Sequence, residues 1–282
     1  MEHSNGTKQD IDNSLLYTDN IDNNTSIVGL HGFWGSGIDF IPLQKELMYS
    51  MGSIDLLGFG KSPISTKTED YTTQHLCRRI DDVLLPCHLL GYSMGARLAL
   101  QYTLRYPQKV KSLICIGAHP GIQDLEEKKR RRRWDCNWAE KFLKCPIEEN
   151  LEEWMQLPIL QSIARSKAWS TIQIRRQQQN PLGLHHAMLG FGTGIMPHCW
   201  DYLSSIECPV LLIHGQYDSK YASIHQHMTE YNKNFSVREV LGSGHAPHLE
   251  KPVATAQIIQ DWLQLCNPLA ACSIPTQKHD KK

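Results

Sequence analysis

Three absences narrow this chain before any motif is read. Charge of one sign is absent: 29 lysines and arginines balance 29 aspartates and glutamates, a formal net charge of zero. Neither nucleic acid nor an anionic membrane is therefore called for as a partner. Long apolar runs are absent too. No segment approaches the roughly twenty apolar residues of a membrane span, and the opening Met1 to Asn24 is polar and acid-rich, unlike a signal peptide with its basic start and apolar centre. The expected location is cytoplasmic. Paired cysteines are the third absence. The nine cysteines, at 77, 87, 115, 136, 145, 199, 208, 266 and 272, form no Cys-x-x-Cys pair and are odd in number. That suits reduced, mostly buried thiols better than a disulfide framework. Fourteen histidines are present, yet His185-His186, His225-x-His227 and His245-x-x-His248 have no companion cysteine or acid at ligand spacing, so neither a metal nor another cofactor is expected. The six consecutive cations from Lys128 to Arg133 have Glu126, Glu127, Glu140, Glu148 and Glu149 nearby and read as a solvated helix face.

What is present is a 282-residue chain, 41% hydrophobic, in which short apolar runs alternate with helical patterns. Strands are predicted at Ser26 to Leu30, Ser53 to Leu56, Pro86 to Leu90, Val110 to Ile116, Pro209 to His214 and Ser236 to Leu241. Helices such as Thr72 to Leu85, Ala96 to Tyr106 and Val253 to Cys266 fall between or after them. Alternation of this kind predicts an α/β fold, a mostly parallel sheet with helices on both faces. Residues 119–200 break the rhythm. They contain no convincing strand and hold Trp134, Trp138, Trp154 and Trp169, which predicts a helical cap inserted between two halves of a core at 25–118 and 201–266. The cap falls between consecutive strands, so it must cover the carboxyl edge of the sheet. Residues 1–24 are expected to be a loose polar lead-in with room for a short edge strand, and 267–282 a disordered tail.

The most informative motif is Gly91-Tyr92-Ser93-Met94-Gly95, which follows an apolar run and precedes a helical pattern. This is the context of a nucleophile elbow, where a serine projects from a turn too tight for side chains on its flanks. The base and its orienter are expected in the chain order Ser, Asp, His. Asp218 lies just past the run Pro209 to His214, and His245 ends the loop Gly242-Ser243-Gly244 after another strand. Upstream, Leu30-His31-Gly32-Phe33-Trp34-Gly35 closes a strand in a glycine-rich turn, the place from which an oxyanion hole takes its Phe33 backbone amide. The Met94 amide is the other half, because the first residue of a helix has no intrahelical acceptor. Asp55-Leu56-Leu57-Gly58-Phe59-Gly60-Lys61-Ser62 completes the set.

Together these motifs resemble an α/β-hydrolase, and others resemble one branch of it, the 2-succinyl-6-hydroxy-2,4-cyclohexadiene-1-carboxylate synthases of the menaquinone and phylloquinone pathway. The elbow continuing to Ala96-Arg97, Gly117-Ala118-His119-Pro120-Gly121, Asp135-x-x-Trp138-Ala139, Trp154-x-x-x-Pro158, Gly192-Thr193-Gly194-Ile195-Met196-Pro197-x-x-Trp200 and Asp218-Ser219-Lys220-Tyr221 carry that resemblance over roughly Ser26 to Leu265. It implies an elimination of pyruvate from a small polycarboxylate, without metal or cofactor, with Ser93 as base backed by His245 and Asp218. It implies substrate contacts from Tyr92, Arg97, Arg131, Trp154 and Arg176, since planar guanidinium forks suit carboxylates. Two positions stay open: Arg130, Arg132 and Arg133 crowd Arg131, and Arg175 adjoins Arg176. Two other functions stay open as well, a carboxylesterase or carbon–carbon bond hydrolase using the same triad, and a noncatalytic small-molecule receptor on the same scaffold.

Overall fold

The computed structural model describes residues 15–266; the expected tail at 267–282 and the first part of the lead-in lie outside them. In chain order the elements are β1 (Thr18–Asp19), β2 (Ile27–Leu30), α1 (Ile41–Gln44), β3 (Met51–Ile54), α2 (Thr73–Asp81), β4 (Cys87–Tyr92), α3 (Met94–Arg105) and β5 (Val110–Ile116). There follow α4 (Leu125–Lys144), α5 (Ile147–Trp154), α6 (Gln161–Ala164), α7 (Trp169–Gln177) and α8 (Pro181–Phe191), with no strand among them. The chain closes with β6 (Val210–Gly215), α9 (Ser219–Thr229), β7 (Phe235–Val240), α10 (Pro247–Glu250) and α11 (Pro252–Cys266).

Seven strands form one sheet in the order β1-β3-β2-β4-β5-β6-β7, parallel throughout except for β1, which runs antiparallel to β3. Every residue of β2, β3, β4 and β6 is buried, as expected where helices cover both faces of a parallel sheet. The order also fixes where a site can form. After β2 the chain moves outward to β3 and then returns to the other side as β4, so β2 and β4 are neighbours whose onward connections diverge. A crevice opens at such a switch point, outside the carboxyl ends of the strands. Leu30 pairs with Gly91, which brings the turn after β2 beside the turn after β4.

The lead-in is tied down at its end. Leu16 is buried, the Tyr17 amide donates to Ser62 Oγ at 2.8 Å, and β1 pairs with β3, so these residues complete the sheet edge. The turn Asp55 to Ser62 is structural. Asp55 accepts the Gly37 amide at 2.6 Å and the Lys61 amide at 2.8 Å, and Ser62 Oγ donates to the Asp55 carbonyl. Boundaries differ from the sequence-based ones by a few residues. β3 runs from Met51 to Ile54, because Leu56 and Leu57 are buried within the turn. Helix α2 stops at Asp81, although Leu84 packs into the core beyond it.

Candidate active site

Ser93 sits between β4 and α3 with φ +50° and ψ −104°, a backbone that L-residues with side chains avoid. The flanking sequence enforces it. A Cβ on Gly91 would lie 2.5 Å from the Ala96 Cα, and one on Gly95 would collide with the Leu30 carbonyl. Only glycine at both positions lets the elbow press this closely on β2 and its own helix. The helix begins at Met94 rather than Ala96, because strand passes to helix through Ser93 alone. Met94 is therefore a first-turn residue whose amide has no intrahelical acceptor.

The triad residues meet. His245 Nε2 lies 3.0 Å from Ser93 Oγ, and its Nδ1 lies 2.6 Å from Asp218 Oδ2. Asp218 N-caps α9, accepting the Tyr221 amide at 3.4 Å on Oδ1. His245 and Asp218 are buried; with its Nδ1–H directed at the carboxylate, the imidazole presents Nε2 to the serine as an acceptor. The turn carrying Phe33 is fixed by His31. Its Nε2 accepts the Leu56 amide at 2.9 Å, and its Nδ1–H donates to the Gly32 carbonyl at 2.8 Å. Burial lowers its pKa, which favours the neutral ring both bonds require.

A cavity of about 310 Å³ opens over Ser93, within the usual size range of a small-molecule site. Phe33, Tyr92, Ser93, Met94 and His245 line its floor, and Trp134, Trp154 and residues of α6 to α8 line its roof. Its lining holds four cations, Arg97, Arg131, Arg176 and Lys220, and no aspartate or glutamate. Each guanidinium is braced by the protein. Arg97 Nη1 donates to Thr193 Oγ1 at 2.8 Å; burial lowers its pKa to about 10, leaving it charged at neutral pH. Arg131 Nε donates to Asp135 Oδ1 at 2.7 Å while the guanidinium lies 4.5 Å from the centre of the Trp134 ring. Arg176 Nη2 reaches Asp39 Oδ2 at 3.4 Å, and its Nη1 is buried without a partner. An unpaired buried donor is costly until an acceptor arrives.

The structure thus separates the crowded candidates. Arg131 and Arg176 line the cavity, and Arg130, Arg132, Arg133 and Arg175 do not. Arg175 shares Asp39 with Arg176, at 2.9 Å. Trp154 belongs to both cavity and core, its ring centre 5.2 Å from that of the tilted Phe33 ring and 4.9 Å, edge to face, from that of Trp138. Lys220 and Tyr221 line the cavity without having been chosen from the sequence as contacts. The available signal was their position two and three residues beyond Asp218, in the first turn of the helix that it caps. Among the described residues no three His, Cys, Asp or Glu side chains are gathered as a metal site requires, and no helix is long and apolar enough to cross a membrane. The eight cysteines described are free.

Several buried histidines are held neutral. Burial pushes His225 and His248 to about 3 and His88 to about 4. The unfolded chain binds protons at these rings from about pH 6.5 downward while the folded chain does not, so stability falls as pH drops from 6.5 toward 3. At pH 5 each ring contributes on the order of 2 kcal/mol to that loss. Thermal melting should therefore shift downward between pH 7 and pH 5, and less steeply in His248→Leu. Equal melting temperatures at the two pH values would contradict it.

Comparison with known proteins agrees with this geometry. The family described as alpha/beta hydrolase fold matches residues 25–252. A Bacillus subtilis protein provisionally named 2-succinyl-6-hydroxy-2,4-cyclohexadiene-1-carboxylate synthase is 31% identical over 84% of this chain and 90% of its own length. The Enterobacter sp. protein of that name is 28% identical over 85% of this chain and 92% of its own. Among solved structures, MenH from S. aureus superposes with a TM-score of 0.79 at 29% identity, covering 89% of this chain and 97% of that one. An esterase from Thermogutta terrifontis, at 22% identity and a TM-score of 0.71 over 89% of this chain and 93% of its own, shares the fold.

Proposed function

Because this chain belongs to the α/β-hydrolase family and, within it, to the 2-succinyl-6-hydroxy-2,4-cyclohexadiene-1-carboxylate synthase family, we propose that it is a lyase of menaquinone or phylloquinone biosynthesis. It eliminates pyruvate from 2-succinyl-5-enolpyruvyl-6-hydroxy-3-cyclohexene-1-carboxylate. The observation that carries this reading is the cavity lining, four cations without a carboxylate above a Ser-His-Asp triad. Ester pockets are predominantly apolar; a substrate with three carboxylates needs fixed positive charge, and guanidinium forks supply it with direction.

In the proposed reaction His245 Nε2 takes the Ser93 hydroxyl proton as Ser93 Oγ removes the ring proton next to the succinyl ketone. The electron pair moves onto the ketone oxygen, where the Phe33 and Met94 amides meet the developing charge. Collapse of that enolate shifts the ring double bond and breaks the carbon–oxygen bond to the enolpyruvyl group. The departing enolate takes up a proton at its methylene carbon and leaves as pyruvate, so the proton removed is balanced by the proton returned. A serine oxygen is a poor base in bulk water; the cap's exclusion of water and the histidine relay make it competent. The cytosol, where free cysteines persist, is the compartment this reading carries.

A coupled assay following pyruvate from the enolpyruvyl substrate tests the proposal, and absence of pyruvate would overturn it. Mass spectrometry of protein quenched during turnover separates it from hydrolysis. A serine acting as base leaves the protein mass unchanged, whereas an adduct on Ser93 would assign the site to an esterase or carbon–carbon bond hydrolase, for which an acyl-enzyme is the kinetic fingerprint.

A further inference from the structure

The loop bearing His245 is held by one carboxylate. Glu250, at the end of α10, accepts the Gly244 amide at 2.9 Å on Oε2 and the Ala246 amide at 3.1 Å on Oε1. Its two oxygens grip the residues on either side of His245. Oε2 also accepts the hydroxyl of Ser162, which belongs to α6 in the helical insertion. Gly244 makes room for that reach, since a Cβ there would meet the Ser162 Cβ at 2.5 Å. The histidine loop, its clamp and the insertion therefore converge on a single side chain that is not part of the cavity lining.

The imidazole has two partners of its own, Asp218 and Ser93, but they fix the ring only as well as the backbone beneath it is fixed. Hydrogen bonds from two amides to an ionised carboxylate are about twice as strong as neutral ones. A displacement of about 1 Å in a reacting group costs on the order of 100-fold in rate. We propose that Glu250 is the positioning residue for His245 and that, through Ser162, it makes the alignment of the base depend on the insertion being seated over the site. The inference rests on the proposed role of the triad and not on which bond the triad breaks. Glu250 touches no reacting atom.

The test reads the triad independently of the elimination. A fluorophosphonate ester phosphonylates an activated serine: Ser93 Oγ bonds to phosphorus, fluoride leaves and His245 takes the hydroxyl proton. In the full-length protein, Glu250→Ala should slow this labelling about 100-fold, and lower kcat for pyruvate release in parallel with KM held within about threefold. Glu250→Gln keeps one acceptor and should recover about tenfold of the loss; Ser162→Ala should slow labelling about fivefold and Ser162→Thr restore it. Labelling of folded Glu250→Ala within twofold of the wild type would overturn the proposal, as would wild-type labelling by both Glu250→Gln and Ser162→Ala should Glu250→Ala fail to fold. If the wild type releases no pyruvate while labelling still depends on Glu250, the elimination falls and the positioning role stands.

Discussion

Replacing Ser93 or His245 by alanine is expected to lower kcat by about 10⁴- to 10⁶-fold, with the double substitution little worse than either alone, because the groups act as a unit. The motivation is geometric: hydroxyl, imidazole and carboxylate stand 3.0 Å and 2.6 Å apart in the required order. Asp218→Asn should cost almost as much. An amide can present its NH2 to Nδ1 and stabilise the wrong tautomer, leaving Nε2 protonated toward the serine. Steady-state pyruvate release from the four proteins decides the matter. Near-normal turnover in Ser93→Ala would remove the triad from the mechanism, and multiplicative losses in the double variant would mean that the residues act separately.

The second large effect is expected at the arginines. Arg176→Lys and Arg97→Lys should each raise the barrier measured by kcat/KM by about 2 to 5 kcal/mol, the range for breaking a buried hydrogen-bonded charge pair, or roughly 30- to 5000-fold in efficiency. Lysine keeps the charge and loses the fork, which isolates the directional part of recognition. Arg176 is the cleaner site, because Asp39 retains Arg175 at 2.9 Å when Arg176 is changed, so the buried carboxylate keeps a cation. Arg131 is half-exposed and stacked on Trp134, and its loss would leave Asp135 with the Gly194 amide at 2.8 Å. The exposed Arg130 and Arg133 serve as controls. Surface charges contribute about 0 to 1 kcal/mol, so their alanine variants should stay within about fivefold of wild type. Losses below fivefold at both Arg97 and Arg176 would sink the polycarboxylate site.

The central strands β2, β4 and β6 were legible because each is a short, mainly apolar run closed by glycine or a polar turn, as burial on both faces of a parallel sheet demands. The elbow was legible for a different reason: steric crowding admits so few residues at 91 and 95 that the sequence carries the geometry directly. Boundaries were less legible where apolar residues serve the core without belonging to an element. Leu56, Leu57 and Leu84 are buried in turns, and periodicity assigns such residues to the neighbouring strand or helix. Apolar spacing alone starts this helix at Ala96, because no such pattern shows that a strand can become a helix through one strained residue, Ser93.

Legibility of the site followed the same division. Residues whose role depends on local chain geometry, such as Ser93, Asp218 and the Phe33 turn, announce themselves in motifs. Residues whose role depends on tertiary folding do not. Nothing local distinguishes Arg131 from Arg130 or Arg132; the helical phase of α4 against α8 does, and that phase is set by burial of Asp135 and Trp138. Glu250 is less legible still, because its importance lies in three donors contributed by two separate parts of the chain.

The positive φ of Ser93 sets activity against endurance. A non-glycine residue held in such a region costs on the order of 1 to 3 kcal/mol, comparable with a sizeable fraction of a domain's whole stability margin. Glycine at 93 would relax that tension and remove the hydroxyl of the proposed base in one step. A population of variants sorted by heat resistance alone would therefore drift toward dead protein, and the serine persists only where turnover is also selected.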